Sequence, residues 1–98
     1  AASGSSFYDA FLFLPPERRA AITAFYAFCR EVDDVVDEVH DPGVAQAKLD
    51  WWRREVQQTY AGQPQHPVTR ALWPHVPRFG IPARALLDVI DFCIARVN

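Results

Sequence analysis

Apolar residues recur along this chain at spacings of three and four, and prolines cut that pattern into segments. A polar entry, Ser3 to Ser6, leads into a short apolar run from Phe7 to Leu14. Pro15 and Pro16 then mark a boundary, because proline suits the first helical turn and disfavours helix just before it. The pattern predicts a main helix from about Pro16 to Val39, ending before Asp41-Pro42-Gly43. A second helix is predicted from Val44 to Ala61, stopped by Gly62 and Pro64. A third covers Val68 to Phe79, interrupted by Pro74 and Pro77, and the last runs from Pro82 to the end. Alternating apolar-polar runs are few, and neither Asn-Gly nor Asp-Gly occurs to make a hairpin turn. The expected architecture is all-α, with four helices and short connections.

The main helix carries two stripes. Ile22, Phe25, Cys29, Val32, Val36 and Val39 recur at three and four, which predicts the buried face. Tyr26, Arg30, Asp33 and Asp37 recur at four, three and four, so they share a second face. At about 100° per residue, this second stripe lies about a quarter-turn from the first and borders the core. Glu31, Asp34 and Glu38 fall further round, toward water. Two carboxylates one turn apart, with an arginine and an aromatic above them, have the makings of a pocket wall.

The acids themselves sharpen that reading. Glu31, Asp33, Asp34, Asp37, Glu38 and Asp41 crowd the helix end and the turn after it. The negative end of the helix dipole opposes each of them, by several tenths of a kcal/mol on the order of magnitude typical of such contacts. Asp33 with Asp37, and Asp34 with Glu38, also repel as like charges one turn apart. No lysine lies between Arg30 and Lys48 to relieve this. A bound cation would. Magnesium accepts one or two carboxylates and fills its other positions with water and phosphate oxygens. Asp33 and Asp37 are therefore candidate metal ligands, and Arg30 is a candidate fork for diphosphate oxygens. A solvated acidic helix end is the other reading of the same pattern.

Composition narrows the class without choosing the function. The chain has 98 residues, half of them hydrophobic, and a formal net charge of −2. That length suits at most one domain, burying roughly two-thirds of its unfolded surface. No basic footprint points to nucleic acid, and no stretch is long and apolar enough to span a bilayer. Cys29 and Cys93 have no metal-ligand or redox spacing, which predicts reduced, buried thiols in a cytoplasmic setting. The chain starts at Ala1 and stops at Asn98 straight after an apolar helical pattern. Both ends read as cut points, so a fragment is expected.

Ser6-Phe7, then Phe11-Leu12-Phe13-Leu14-Pro15, then the run from Tyr26 through Arg30-Glu31-Val32-Asp33-Asp34-Val35-Val36-Asp37 together resemble the squalene/phytoene synthase family. The resemblance runs from about Ser3 to Asp91. Ser3 to Tyr8, Gln63 to Val68 and Leu86 to Asp91 look most like the bacterial presqualene diphosphate synthase branch, with the phytoene synthases as the alternative. It implies the amino-terminal helices of an incomplete isoprenoid synthase fold. It also implies a magnesium-dependent, head-to-head condensation of two farnesyl diphosphates to presqualene diphosphate, on the way to squalene and hopanoids. The alternative branch joins two geranylgeranyl diphosphates.

By the same resemblance, Asp33 and Asp37 match the outer aspartates of the first aspartate-rich motif, and Asp34 matches its middle position. Arg30 matches a diphosphate contact, Tyr26 and Phe7 match cavity aromatics, and Ser6 matches a diphosphate-side polar residue. The implied enzyme is cytoplasmic, with peripheral membrane association through its lipid product left open.

The remaining candidates read as structural. Trp51, Trp52, Val56 and Tyr60 recur at helical spacing and predict packing. His40, His66 and His75 share no ligand spacing, and Arg18 and Arg19 fit an exposed first turn. Asp88 and Asp91 face one side of the last helix and do not match the second aspartate-rich motif. After Asp91 the family pattern expects a glycine and an acid-rich segment, whereas Phe92-Cys93-Ile94-Ala95-Arg96-Val97-Asn98 follows here. The expected partial domain over residues 1–98 thus lacks half the metal ligands. A non-catalytic helical piece with weak metal binding is the second reading, and its uncovered inner faces predict self-association.

Overall fold

The computed structural model of the chain describes residues 9–97. Residues 9–12 are helical, and five named helices follow: α1 (Pro16–Glu38), α2 (Pro42–Tyr60), α3 (Pro67–Leu72), α4 (His75–Phe79) and α5 (Ala83–Val97). There is no strand among the described residues. The fold class is all-α, as the spacing pattern predicts.

Helix starts follow proline. Pro16, Pro42 and Pro67 each open a helix at a position whose N–H has no intrahelical partner to lose. Asp41 caps α2 by accepting hydrogen bonds from the backbone N–H of Gly43 at 2.8 Å and of Val44 at 3.2 Å. The triplet Asp41-Pro42-Gly43 therefore begins α2 rather than merely separating two helices, and α2 starts two residues earlier than expected. The His66 ring caps α3, with Nδ1 accepting from the Val68 N–H at 3.0 Å.

The predicted third helix is two short ones. Pro74 has no N–H to donate, and its ring would clash with the carbonyl a turn before, so the chain turns at Trp73-Pro74. Pro77 sits in the first turn of α4, where a missing N–H costs nothing. Gly80, at φ +63°, ends α4 in the left-handed conformation. The Ile81 N–H then bonds back to the Val76 carbonyl at 3.0 Å.

The core is formed by Phe28 and Val32 of α1, Leu49 and Val56 of α2, Leu72 of α3, and Leu86 and Ile90 of α5, all fully buried. Phe28 meets Trp52 edge to face at 5.6 Å between ring centroids. Burying a side chain such as Phe28 contributes about 2–3 kcal/mol.

The buried line of α1 is Ala21, Ala24, Phe28, Val32 and Val35. Of the six residues expected to form it, only Val32 is fully buried; Phe25, Cys29, Val36 and Val39 pack at its margin, and Ile22 is 47% exposed. The cause is that α1 is apolar over a wide arc. Spacing locates the arc but not its centre, which is set by where α2, α3 and α5 press, and small alanines let α3 approach.

Beside the buried hydroxyls of Thr59 and Thr69, this interior holds a carboxylate, Glu55, at 2% exposure. Its Oε2 accepts from the Gln65 N–H at 2.7 Å, the His66 N–H at 2.9 Å and the Thr69 hydroxyl at 2.6 Å. Burial disfavours its charge, but these donors outweigh burial and hold the carboxyl below its ordinary value. Glu55 thereby fixes the loop from α2 into α3 by giving partners to the Gln65 and His66 N–H groups.

Candidate functional site

The second stripe of α1 survives folding as one wall of a groove. Tyr26, Cys29, Arg30, Asp33, Asp34 and Asp37 line one side, Val89, Phe92 and Cys93 of α5 line the other, and the space is about 450 Å³. Leu86, Ile90 and Cys93 anchor α5 in the core, which brings Phe92 and the last turn of α5 up to the acidic end of α1. Ser6 and Phe7 lie outside the described residues. The other five predicted site residues share this groove.

Within it the charges are paired. Arg96, in the last turn of α5, places one guanidinium across both aspartates. Its Nη1 donates to Asp33 Oδ1, and its Nη2 donates to Asp37 Oδ1 at 3.1 Å. The Arg96 hydrogen bond does most to hold the Asp33 carboxyl below the usual carboxylate range. Asp33 in turn is the main reason the Arg96 pKa is raised. Arg30 leans on its own helix: Tyr26 does most to raise its pKa, followed by Asp34, whose Oδ1 is 3.6 Å from Arg30 Nε.

Asp34 was expected to face water with Glu31 and Glu38. It is only half-exposed, because it stands on a ridge between two grooves. The second groove, about 360 Å³, carries Glu31 and Glu38 opposite Trp51, Trp52 and His66. There His66 Nε2 lies 3.7 Å from Glu31 Oε1, and its ring packs 4.7 Å from that of Trp52.

The strained acidic end predicted a cation, and the chain supplies one of its own. Arg96 escaped sequence reasoning because it stands 63 positions from Asp33 and 59 from Asp37. A basic residue in a last helical turn suits the dipole anyway, so nothing local tied it to the aspartates. Glu55 escaped for the same reason: its partners are brought together by the α2–α3 turn.

Asp88 and Asp91 are engaged in ion pairs within the scaffold. Arg84 reaches Asp88 at 2.7 Å and Asp91 at 2.8 Å, while Arg53 of α2 reaches Asp91 at 2.6 Å. Cys29 and Cys93 are free, and burial raises both thiols. Trp52 and Val56 are buried packing residues, whereas Trp51 is 41% exposed.

Asp33 and Asp37 already close on a single cationic group with hard oxygen donors. That arrangement fits the one or two carboxylates magnesium takes from a protein. No group of three or more His, Cys, Asp or Glu side chains among the described residues makes a closed metal cage. A metal held by this pair would leave most of its positions to other ligands.

The squalene/phytoene synthase family model matches residues 1–96. A presqualene diphosphate synthase of Zymomonas mobilis is 37% identical over 91 residues, covering 92% of this chain and 31% of that protein. One from Sinorhizobium fredii is 37% identical over 90 residues, covering 92% and 32%. A chloroplastic phytoene synthase of Narcissus pseudonarcissus is 33% identical over 86 residues, covering 88% and 20%. The chain therefore spans between a fifth and a third of these relatives' length. No solved structure matches it. The family match over nearly all of the sequence, with the aspartate stripe inside it, settles the assignment: the chain belongs to the squalene/phytoene synthase family.

Proposed function

We propose that this chain is the amino-terminal part of a head-to-head prenyltransferase that condenses two farnesyl diphosphates to presqualene diphosphate. The observation that carries the reading is the groove in which Asp33 and Asp37 converge on one cation beside an apolar wall of Cys29, Val89 and Phe92. A prenyl diphosphate has the matching two-part chemistry, an anionic head and a hydrocarbon tail. Asp33 and Asp37 would hold magnesium, which when bound offsets the charge of the departing diphosphate. Arg30 adds donors toward diphosphate oxygens. Tyr26, 64% exposed on the groove, offers an aromatic face to an allylic cation.

On this reading the chain holds one half-site, and the ligands of the second diphosphate belong to residues outside this sequence. Alone, it binds without turning over. Phytoene-type condensation of two geranylgeranyl diphosphates is the second reading, supported by the likeness to the Narcissus phytoene synthase. Equilibrium binding of labelled farnesyl and geranylgeranyl diphosphate with magnesium tests both. Farnesyl binding that is lost when a chelator removes the metal is expected. Preference for the longer chain favours the phytoene reading, binding indifferent to chelator overturns the metal role, and product formation overturns the half-site.

A further inference from the structure

We infer that Arg96 is a built-in counterion that competes with a divalent cation for Asp33 and Asp37, so that the metal gains the pair by displacing the guanidinium. The inference rests on the metal reading proposed above. Arg96 does not merely lie near the acids. One donor goes to Asp33 Oδ1 and another to Asp37 Oδ1, so a single planar group spans the two carboxylates at the oxygens that would grip a shared ion. Its positive charge halves the net negative charge of the pair. A divalent ion entering beside it would meet that charge at close range in a half-exposed site, where screening is incomplete.

Displacement requires no unfolding. The Arg96 side chain is 40% exposed, and α5 is held by Leu86, Ile90 and Cys93 rather than by this contact. A rotation of the arginine arm vacates both oxygens while the helix stays seated. The other neighbouring cation, Arg30, is directed toward Asp34 rather than toward the pair. Arg96 thus sets the threshold at which the aspartate pair accepts a metal, and it leaves as a diphosphate-bearing metal arrives.

The test is binding of manganese, a paramagnetic substitute for magnesium, to the 98-residue chain, followed by the resonance signal of the free ion. Arg96→Gln is expected to bind about tenfold more tightly than the natural sequence, with Arg96→Lys in between because it keeps the charge and loses the fork. Adding Asp33→Asn and Asp37→Asn to Arg96→Gln is expected to abolish the gain. Far-UV circular dichroism of each variant distinguishes altered binding from altered folding. Equal, measurable binding by the natural chain and Arg96→Gln overturns the inference and leaves the metal reading standing. Absence of binding in both overturns the two together.

Discussion

At the residue scale, carboxylates divide into those that hold the fold and those that face the groove. Glu55 holds the fold, since three donors converge on one of its oxygens in a buried position. Glu55→Ala should cost about 3 kcal/mol in thermal or urea denaturation, because it strands backbone N–H groups of the α2–α3 loop. Acid should act on the same residue. Its folded pKa lies below the ordinary value, so the unfolded chain takes up the proton first. Its contribution is complete above the ordinary glutamate value of about 4.3 and is lost as pH falls through the lowered folded value. Asp91, lowered chiefly by Arg53, behaves in the same direction. Circular dichroism against pH should show stability falling below about pH 4, with a shallower fall in Glu55→Gln. An unchanged profile in that variant would remove Glu55 from the account.

At the element scale, helix ends were written in the sequence more clearly than helix faces. Pro15-Pro16 and Gly80 mark their boundaries correctly, because proline and glycine act through the local backbone. Asp41-Pro42-Gly43 marks a boundary of either kind, and only the side chain of Asp41, turned onto Gly43 and Val44, makes it a start. Asp41→Ala is expected to lose about 1 kcal/mol of stability. Gly80→Ala should lose about 1–2 kcal/mol through its left-handed φ alone, since a Cβ there meets nothing within 4 Å. Faces were less legible. The apolar arc of α1 is wide enough that Ile22 looked buried, yet packing against three neighbours leaves it exposed and buries Ala24 instead. The acidic stripe was legible because Tyr26, Arg30, Asp33 and Asp37 lie on successive turns of one helix. Arg96 was not, because its link to them exists only after α5 docks on α1.

At the scale of the whole molecule, the described chain is a slab, 42 × 37 × 20 Å, and its thin dimension is about two helix diameters. Such a shape cannot cover its apolar residues: Phe13 is 88% exposed, Phe92 68% and Tyr26 64%. No described helix is long and apolar enough to cross a membrane. Sedimentation velocity should therefore show mass rising above the 11.1 kDa monomer with concentration, and Phe92→Glu should diminish that rise. A monomer at every concentration would contradict the expectation. The same flatness leaves the groove open on one side, where one aspartate pair faces outward with Arg96 across it.

In the proposed function, this pair grips a metal against a prenyl diphosphate. Calorimetric titration of a non-hydrolysable farnesyl diphosphate analogue with magnesium, into the natural chain and into Asp33→Ala with Asp37→Ala, tests it most directly. Saturable, magnesium-dependent heat in the natural chain and its loss in the double variant is the predicted result. Equal binding by the two proteins would contradict the account.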